Sequence, residues 1–301
     1  VICYVVYLFS PPSSTHTVAL SAWDIPVPYE YTNPTIPDKI NRIAVFASYS
    51  NDGRIADYVI KYLKELKKTN TDIVFISDSP IFPEEVNKIE KLVLYALFER
   101  HGEYDFGSYK RGLNYILAHR LLTDNTELIL CNDSVYGPFY PLSDIFYKMN
   151  AKKVDFWGMT DSFQIQYHLQ SYFLYFKNSK LIKYALLPYL NRVKKETKKR
   201  DIVYKYEVPL AKYLHDRGYK IAAYNPIALN PCPRGRKVNQ TISCPLELIE
   251  YHHFPFLKRS ILLGKYKSWK PEAISYIFHY IRSRFPEFYS LIKSDLEHAK
   301  K

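Results

Sequence analysis

Glycine is scarce in this chain, nine among 301 residues, and none has the spacing that cradles a phosphate. A P-loop or a dinucleotide-binding glycine loop is thereby excluded, and with it the usual nucleotidyl and phosphoryl transferase designs. Methionine occurs twice and cysteine four times, at Cys3, Cys131, Cys232 and Cys244, without a close CxxC pair. Such spacing offers neither a zinc site nor a disulfide framework, so reduced thiols in a cytoplasmic protein are expected. No apolar run is long enough to span a bilayer. Val1 to Phe9 are apolar but few, and with no charged leader they do not meet the pattern of a secretion signal. Zinc-finger spacing, an aromatic-basic RNA signature and a basic helix ahead of heptads are all missing, which argues against nucleic acid as a partner.

What the chain has in quantity is aromatic and basic. There are 29 tyrosines and 17 phenylalanines, and 42 Lys plus Arg against 30 acidic residues leave a formal charge of +12. Tyrosine presents a flat apolar face with a hydroxyl at its rim, which suits sugars and interfaces, although AT-rich codon usage yields the same count. The positive excess attracts phosphates, whether anionic lipid headgroups or a nucleotide-linked substrate. With 47% hydrophobic and 24% charged residues, the composition is that of a globular chain with one large core.

Residues 1–41, rich in Pro, Ser and Thr from residue 10 on, read as an irregular arm with Trp23 as an anchor. Organised structure begins at Arg42. Ile43 to Ala47 form an apolar strand, Arg54 to Lys68 a helix, and Asp72 to Ser77 a second strand. A helix from Pro83 to Lys91, a strand from Leu92 to Phe98 and a helix from Ser108 to Leu122 follow. The run Glu127 to Cys131 is then a strand buried on both faces, and Asn132-Asp133-Ser134 stands at its carboxyl end. Further strands are expected at Val154 to Met159, His168 to Phe176 and Tyr219 to Tyr224, with helices near 181–195 and 206–216. Prolines near residue 230 mark a break, and residues 231–301 form a helical, basic and aromatic C-terminal region beyond a 42–230 domain.

Short alternation of strand and helix specifies an α/β fold with a mostly parallel sheet flanked by helices. Right-handed crossovers put every loop that follows a strand on one edge of that sheet, where such folds bind ligands. Asn-Asp-Ser alone is ordinary turn chemistry. The shared edge brings Ser50, Asp105 and Asp133 together, and that convergence makes Asp133 a candidate to hold a divalent cation or a sugar hydroxyl.

Several blocks resemble the rhamnan synthesis protein F family of bacterial glycosyltransferases. They are Arg42 to Ala47, Tyr104 to Tyr109 with Gly112-Leu113, Asn132 to Pro138, Asp155 to Gly158, His168 to Phe173, Tyr206 to Val208 and Pro255 to Arg259, in order along residues 42–260. The resemblance implies a GT-A-like nucleotide-sugar-binding fold. It implies transfer of a deoxyhexose, typically rhamnose from dTDP-rhamnose, onto a lipid-linked glycan of the cell wall or O-antigen. Such an enzyme would be cytoplasmic and peripheral on the inner face of the membrane, with the basic C-terminal region facing an anionic lipid surface or packing on the core.

On the resemblance, Asn132-Asp133-Ser134 takes the place of a metal-holding acidic triplet. It keeps one carboxylate, so Mg²⁺ or Mn²⁺ at Asp133 and a metal-free site lined by Arg and Lys both stay open. Asp105, ahead of Gly107 at a helix start, would meet the donor's base or ribose, or serve as a cap. Ser50, Arg100 and Lys110 complete the donor side. Glu207 is the expected general base and Asp161 its rival. Trp157, His168, Gln170 and Tyr172 are assigned to the sugars, with a structural role for His168 as the alternative. A non-catalytic carbohydrate-binding or scaffolding module is the competing function.

Overall fold

The computed structural model describes residues 28–299 except 38, 230, 231, 233, 234 and 236. The strands are β1 (Tyr29–Thr32), β2 (Arg42–Ser48), β3 (Asp72–Ser77), β4 (Tyr95–Phe98), β5 (Glu127–Asn132), β6 (Val135–Tyr136), β7 (Phe156–Ser162), β8 (His168–Leu169), β9 (Phe173–Phe176), β10 (Ile221–Asn225) and β11 (Leu257–Lys258). The main sheet runs β1-β4-β3-β2-β5-β9-β7-β10, with β8 paired antiparallel to the end of β7 beyond β9 and a separate ribbon of β6 with β11. β4, β3, β2 and β5 are mutually parallel, as are β7 and β10. β9 runs against both β5 and β7 and joins the two parallel groups. The α/β class with a largely parallel, helix-flanked sheet is thus what the alternation of apolar runs predicts.

Side chains alternate across each strand and feed two cores. From β2, Ala44 and Phe46 point to one face with Tyr62, Phe75, Phe256, Ile277 and Ile292, whereas Ile43, Val45 and Ala47 point to the other with Tyr109, Leu113, Leu190 and Leu214. The Asp57–Lys67 helix covers the first face through Tyr58, Val59, Tyr62, Leu63 and Leu66, one stripe at helical spacing. The Tyr104–Ala118 helix covers the second. It lies so close to the sheet at Gly112 that a Cβ there would come 2.3 Å from Cγ1 of Val45.

Several expectations are corrected. Tyr29–Thr32, in the stretch read as irregular, is an antiparallel edge strand on β4; Trp23 lies outside the described residues. The strand read over 168–176 is interrupted, because Gln170, Ser171 and Tyr172 leave the ladder to bury their polar groups elsewhere. The helix read over 83–91 is helical only at Pro83–Val86. Cys232 and Cys244 form a disulfide, their Cα atoms 6.0 Å apart, where sequence spacing suggested free thiols. Cys131 is free and buried. In the C-terminal helices Ile261, Ile277, Ile281 and Ile292 are fully buried, so these apolar residues serve the core.

Two helices widen into π turns, Ile182–Leu186 and Val203–Glu207, each running into a Leu-Pro or Val-Pro pair. A proline ring clashes with the carbonyl four residues back and brings no N–H, and an added residue in the preceding turn relieves both defects. The second π turn ends at Glu207.

Candidate active site

The carboxyl ends of β2, β3, β4, β5 and β7 lie on one edge, and because β9 is antiparallel the residues entering it reach the same edge. The result is a cleft of about 1320 Å³. At its floor the Asn132–Ser134 loop is fixed on every side. One Asp133 oxygen, Oδ2, accepts hydrogen bonds from Ser48 Oγ and the Tyr49 N–H, both at 2.8 Å. The Asp133 carbonyl accepts from the Tyr58 hydroxyl at 2.9 Å. The Asn132 amide donates to Asp105 Oδ2 at 2.9 Å, while its carbonyl oxygen accepts from the Ser134 N–H and hydroxyl. Burial pushes the Asp133 carboxyl up to about 6, against the two donors that favour its charge.

The opposite wall comes from the C-terminal region. Gly137 makes this approach feasible: at φ +127° and without a Cβ it lets the Pro255 carbonyl pass where a Cβ would lie 2.2 Å away. β11 then pairs with β6, setting Lys258 opposite Val135, and the Arg259 N–H donates to the Ser134 carbonyl at 3.0 Å. The Lys258 ammonium donates to Ser134 Oγ at 3.3 Å and lies 4.4 Å above the Tyr172 ring. Burial lowers Lys258 to about 8, with Glu207 acting in the opposite sense. Arg259 is held by Asp295, Nε to Oδ2 at 2.7 Å and Nη2 to Oδ1 at 3.0 Å, and Asp295 also accepts from the Tyr136 hydroxyl at 2.5 Å.

A third wall is the stretch from Lys195 to Glu207. Lys199 projects into the cleft, solvent-accessible, and the Asp105 carboxylate raises its pKa. Glu207 lines the same space with Oε1 accepting from the Ser171 N–H at 3.0 Å. On the β4 side, Asp78 accepts from the N–H groups of Gly102 at 2.7 Å and Tyr104 at 3.2 Å. Those two bonds hold Tyr104 at φ +55°, a backbone region that costs a non-glycine residue energy, beside Tyr49 at the cleft rim.

Of the residues singled out from sequence, Arg100, Asp105, Asn132, Asp133, Ser134, His168, Gln170, Tyr172 and Glu207 line this cleft. Others lie elsewhere. Ser50 turns its hydroxyl to Asp52, and Lys110 pairs with Glu103 and the Val193 carbonyl. Gly107 is buried in the first turns of its helix. Trp157 is fully buried among Phe146, Phe173 and Tyr175, too deep to touch a sugar. Asp161 is also buried, and its Oδ1 accepts from the Ile227 N–H at 2.8 Å and the Gln240 amide at 3.4 Å, which makes it a brace for the 225–241 loop. Lys199, Lys258, Tyr49 and Asp78 were missed. Lys258 and Arg259 stood within a block that carries the family resemblance, the one signal that pointed to them.

A divalent cation finds no ready-made protein cage in this donor set. Among the described residues no three His, Cys, Asp or Glu side chains gather into a metal-binding group. Asp133 and Asp105 each have an oxygen committed to protein donors.

Comparison with known proteins agrees with the resemblance read from the motifs. "Virulence protein VirA" of Vibrio anguillarum (strain ATCC 68554 / 775) is 25% identical over 191 residues, covering 62% of this chain and 60% of VirA. "Uncharacterized protein y4gN" of Sinorhizobium fredii (strain NBRC 101917 / NGR234) is 22% identical over 185 residues, 60% of this chain and 48% of that protein. The chain therefore spans roughly half to three-fifths of the length of these curated relatives. The family model for rhamnan synthesis protein F matches residues 73–300, more than half of the chain and the cleft lining other than Ser48 and Tyr49. The chain belongs to the rhamnan synthesis protein F family.

Proposed function

We propose that this chain is a glycosyltransferase of bacterial polysaccharide synthesis, moving rhamnose or a related deoxyhexose from dTDP-rhamnose to a lipid-linked glycan with inversion. The family supports polysaccharide synthesis, and its description names a rhamnose polymer. The observation that carries the reading is the meeting of Asp105, Asp133, Glu207, Lys199 and Lys258 in one cleft at the carboxyl edge of a parallel sheet. Asp105 and Asp133 would accept hydrogen bonds from the nucleoside and sugar hydroxyls. Glu207 would take the proton of the acceptor hydroxyl as its oxygen bonds the anomeric carbon and the bond to the diphosphate breaks.

No helix among the described residues is long and apolar enough to cross a membrane. A lipid-linked acceptor would therefore be met at the membrane surface, a role that the net charge of +12 supports on the cytoplasmic face. Flotation with anionic liposomes tests that part alone.

A thermal-shift screen of nucleotide sugars tests the donor assignment, because a ligand that binds the folded state raises its melting temperature. A specific shift with dTDP-rhamnose is expected. Glu207→Gln should keep that shift and lose transfer by ~10²–10⁴-fold, the range of a general base. Wild-type protein that binds glycans but neither transfers nor hydrolyses a donor would instead be a carbohydrate-binding module.

A further inference from the structure

Several cations near the cleft are already matched to an acid: Arg111 to Glu99 and Glu103, Lys110 to Glu103, Arg259 to Asp295. Of the lysines that line it, Lys258 and Lys199 are the pair that sense each other and the acids of the cleft floor. Lys258 makes one hydrogen bond, to Ser134 Oγ, and no ion pair appears for it or for Lys199 among the described residues. An ammonium carries three donors, so both keep unused donors pointing into the space beside the Asn132–Ser134 loop. Each carboxylate there has one oxygen bonded to the protein, Asp133 to Ser48 and Tyr49, Asp105 to Asn132 and Glu207 to Ser171, and none approaches either ammonium as an ion pair.

We propose that Lys258 and Lys199 grip the diphosphate of the donor and offset the charge that develops on it as the glycosyl bond breaks, so that transfer runs without a divalent cation. The proposal rests on the nucleotide-sugar reading of the cleft and assigns its charge chemistry. As the bond from the anomeric carbon to the diphosphate oxygen breaks, its electron pair stays on that oxygen. The acceptor oxygen takes the carbon and releases its proton to Glu207. The departing nucleoside diphosphate thus gains negative charge beside two ammonium groups already in position, which need no reorganisation to stabilise it. Burying the Lys258 ammonium without an ion-pair partner is unfavourable, and a bound anion removes that penalty. The lowered Lys258 pKa has the same origin. Charged groups facing Lys258 are Glu207, Lys199 and Asp105, and the Ser134 hydroxyl oxygen and the Tyr172 ring supply close contacts of negative character.

Calorimetric titration of the whole chain with thymidine diphosphate and with inorganic pyrophosphate, in EDTA and in Mg²⁺, tests this. Binding of both in EDTA, within about threefold of the Mg²⁺ value, is expected. Lys258→Met and Lys199→Met should each weaken it roughly 10- to 100-fold, the scale of a charge-assisted hydrogen bond. Lys212→Met, on the surface away from the cleft, should bind as wild type. Melting of each free variant checks folding, and if Lys258→Met melts early, the solvent-accessible Lys199→Met carries the test. Thymidine diphosphate binding that needs Mg²⁺ or Mn²⁺, or that survives both substitutions, overturns the inference while leaving the donor site intact. Failure of wild type to bind any nucleoside diphosphate in either buffer removes the donor reading and this inference with it.

Discussion

Asp295 lies far in sequence from the Asn132–Ser134 loop, yet Asp295→Ala is expected to damage both the fold and the cleft. The carboxylate receives two hydrogen bonds from Arg259 and one from Tyr136. It is 8% exposed, whereas the Arg259 side chain is 29% exposed. Breaking a buried pair by removing one partner costs about 3–5 kcal/mol, chiefly the stranded opposite charge. Arg259 is accessible enough to regain some water, so about 2–3 kcal/mol is the better figure. For a chain of this size that corresponds to a fall in Tm of about 3–5 °C. The Tyr136 hydroxyl loses its acceptor too, and the β6–β11 ribbon that carries Lys258 loosens with it. Differential scanning fluorimetry reads the stability and pyrophosphate titration reads the cleft. Replacing both charges, Arg259→Met with Asp295→Leu, should recover much of the Tm but not the pyrophosphate affinity. A single variant melting within a degree of wild type would refute the reasoning, as would intact pyrophosphate binding in a variant that melts early.

Three further outcomes are expected. Gly112→Ala forces a Cβ onto Val45 and should cost about 1–3 kcal/mol by urea unfolding, more than offsetting alanine's ~1 kcal/mol helix advantage. Denatured protein should show two fewer reactive thiols before reduction than after, and Cys232→Ser with Cys244→Ser should lower stability by about 3 kcal/mol, the chain-entropy value for so short a loop. Diphosphate affinity should be steady near pH 7 and weaken above about 8, where free Lys258 loses its proton, by at most about tenfold per pH unit. The same deprotonation has the opposite sign for folding: between about 8 and the ordinary lysine value the unfolded chain binds the extra proton, so that group's contribution to stability rises with pH.

Much of the sheet could be read from the sequence, because β2, β3, β5 and β7 are continuous apolar runs set off by amphipathic helices. The direction of β9 could not, since an apolar strand looks the same whichever way it runs, and its reversal is what carries Ser171 and Tyr172 to the cleft. Asp133 was legible from its place at the end of a buried strand. Asp161 has the same local setting, and only the packing of Ile227 and Gln240 against it separates a brace from a cleft residue. Lys258 was hidden in a stretch where cations and aromatics alternate. Its side chain differs from its neighbours' only because Gly137 admits the backbone around it.

The Arg259–Asp295 pair also sets a timetable. Some 161 residues separate Ser134 from Asp295, so at ~5–20 residues per second the ribosome needs roughly 8–30 s to deliver the anchor after the loop it serves. Throughout that interval the nascent sheet carries an acidic floor whose Lys258 wall has no anchor, and a nucleotide encountered then would find at most half of its grip.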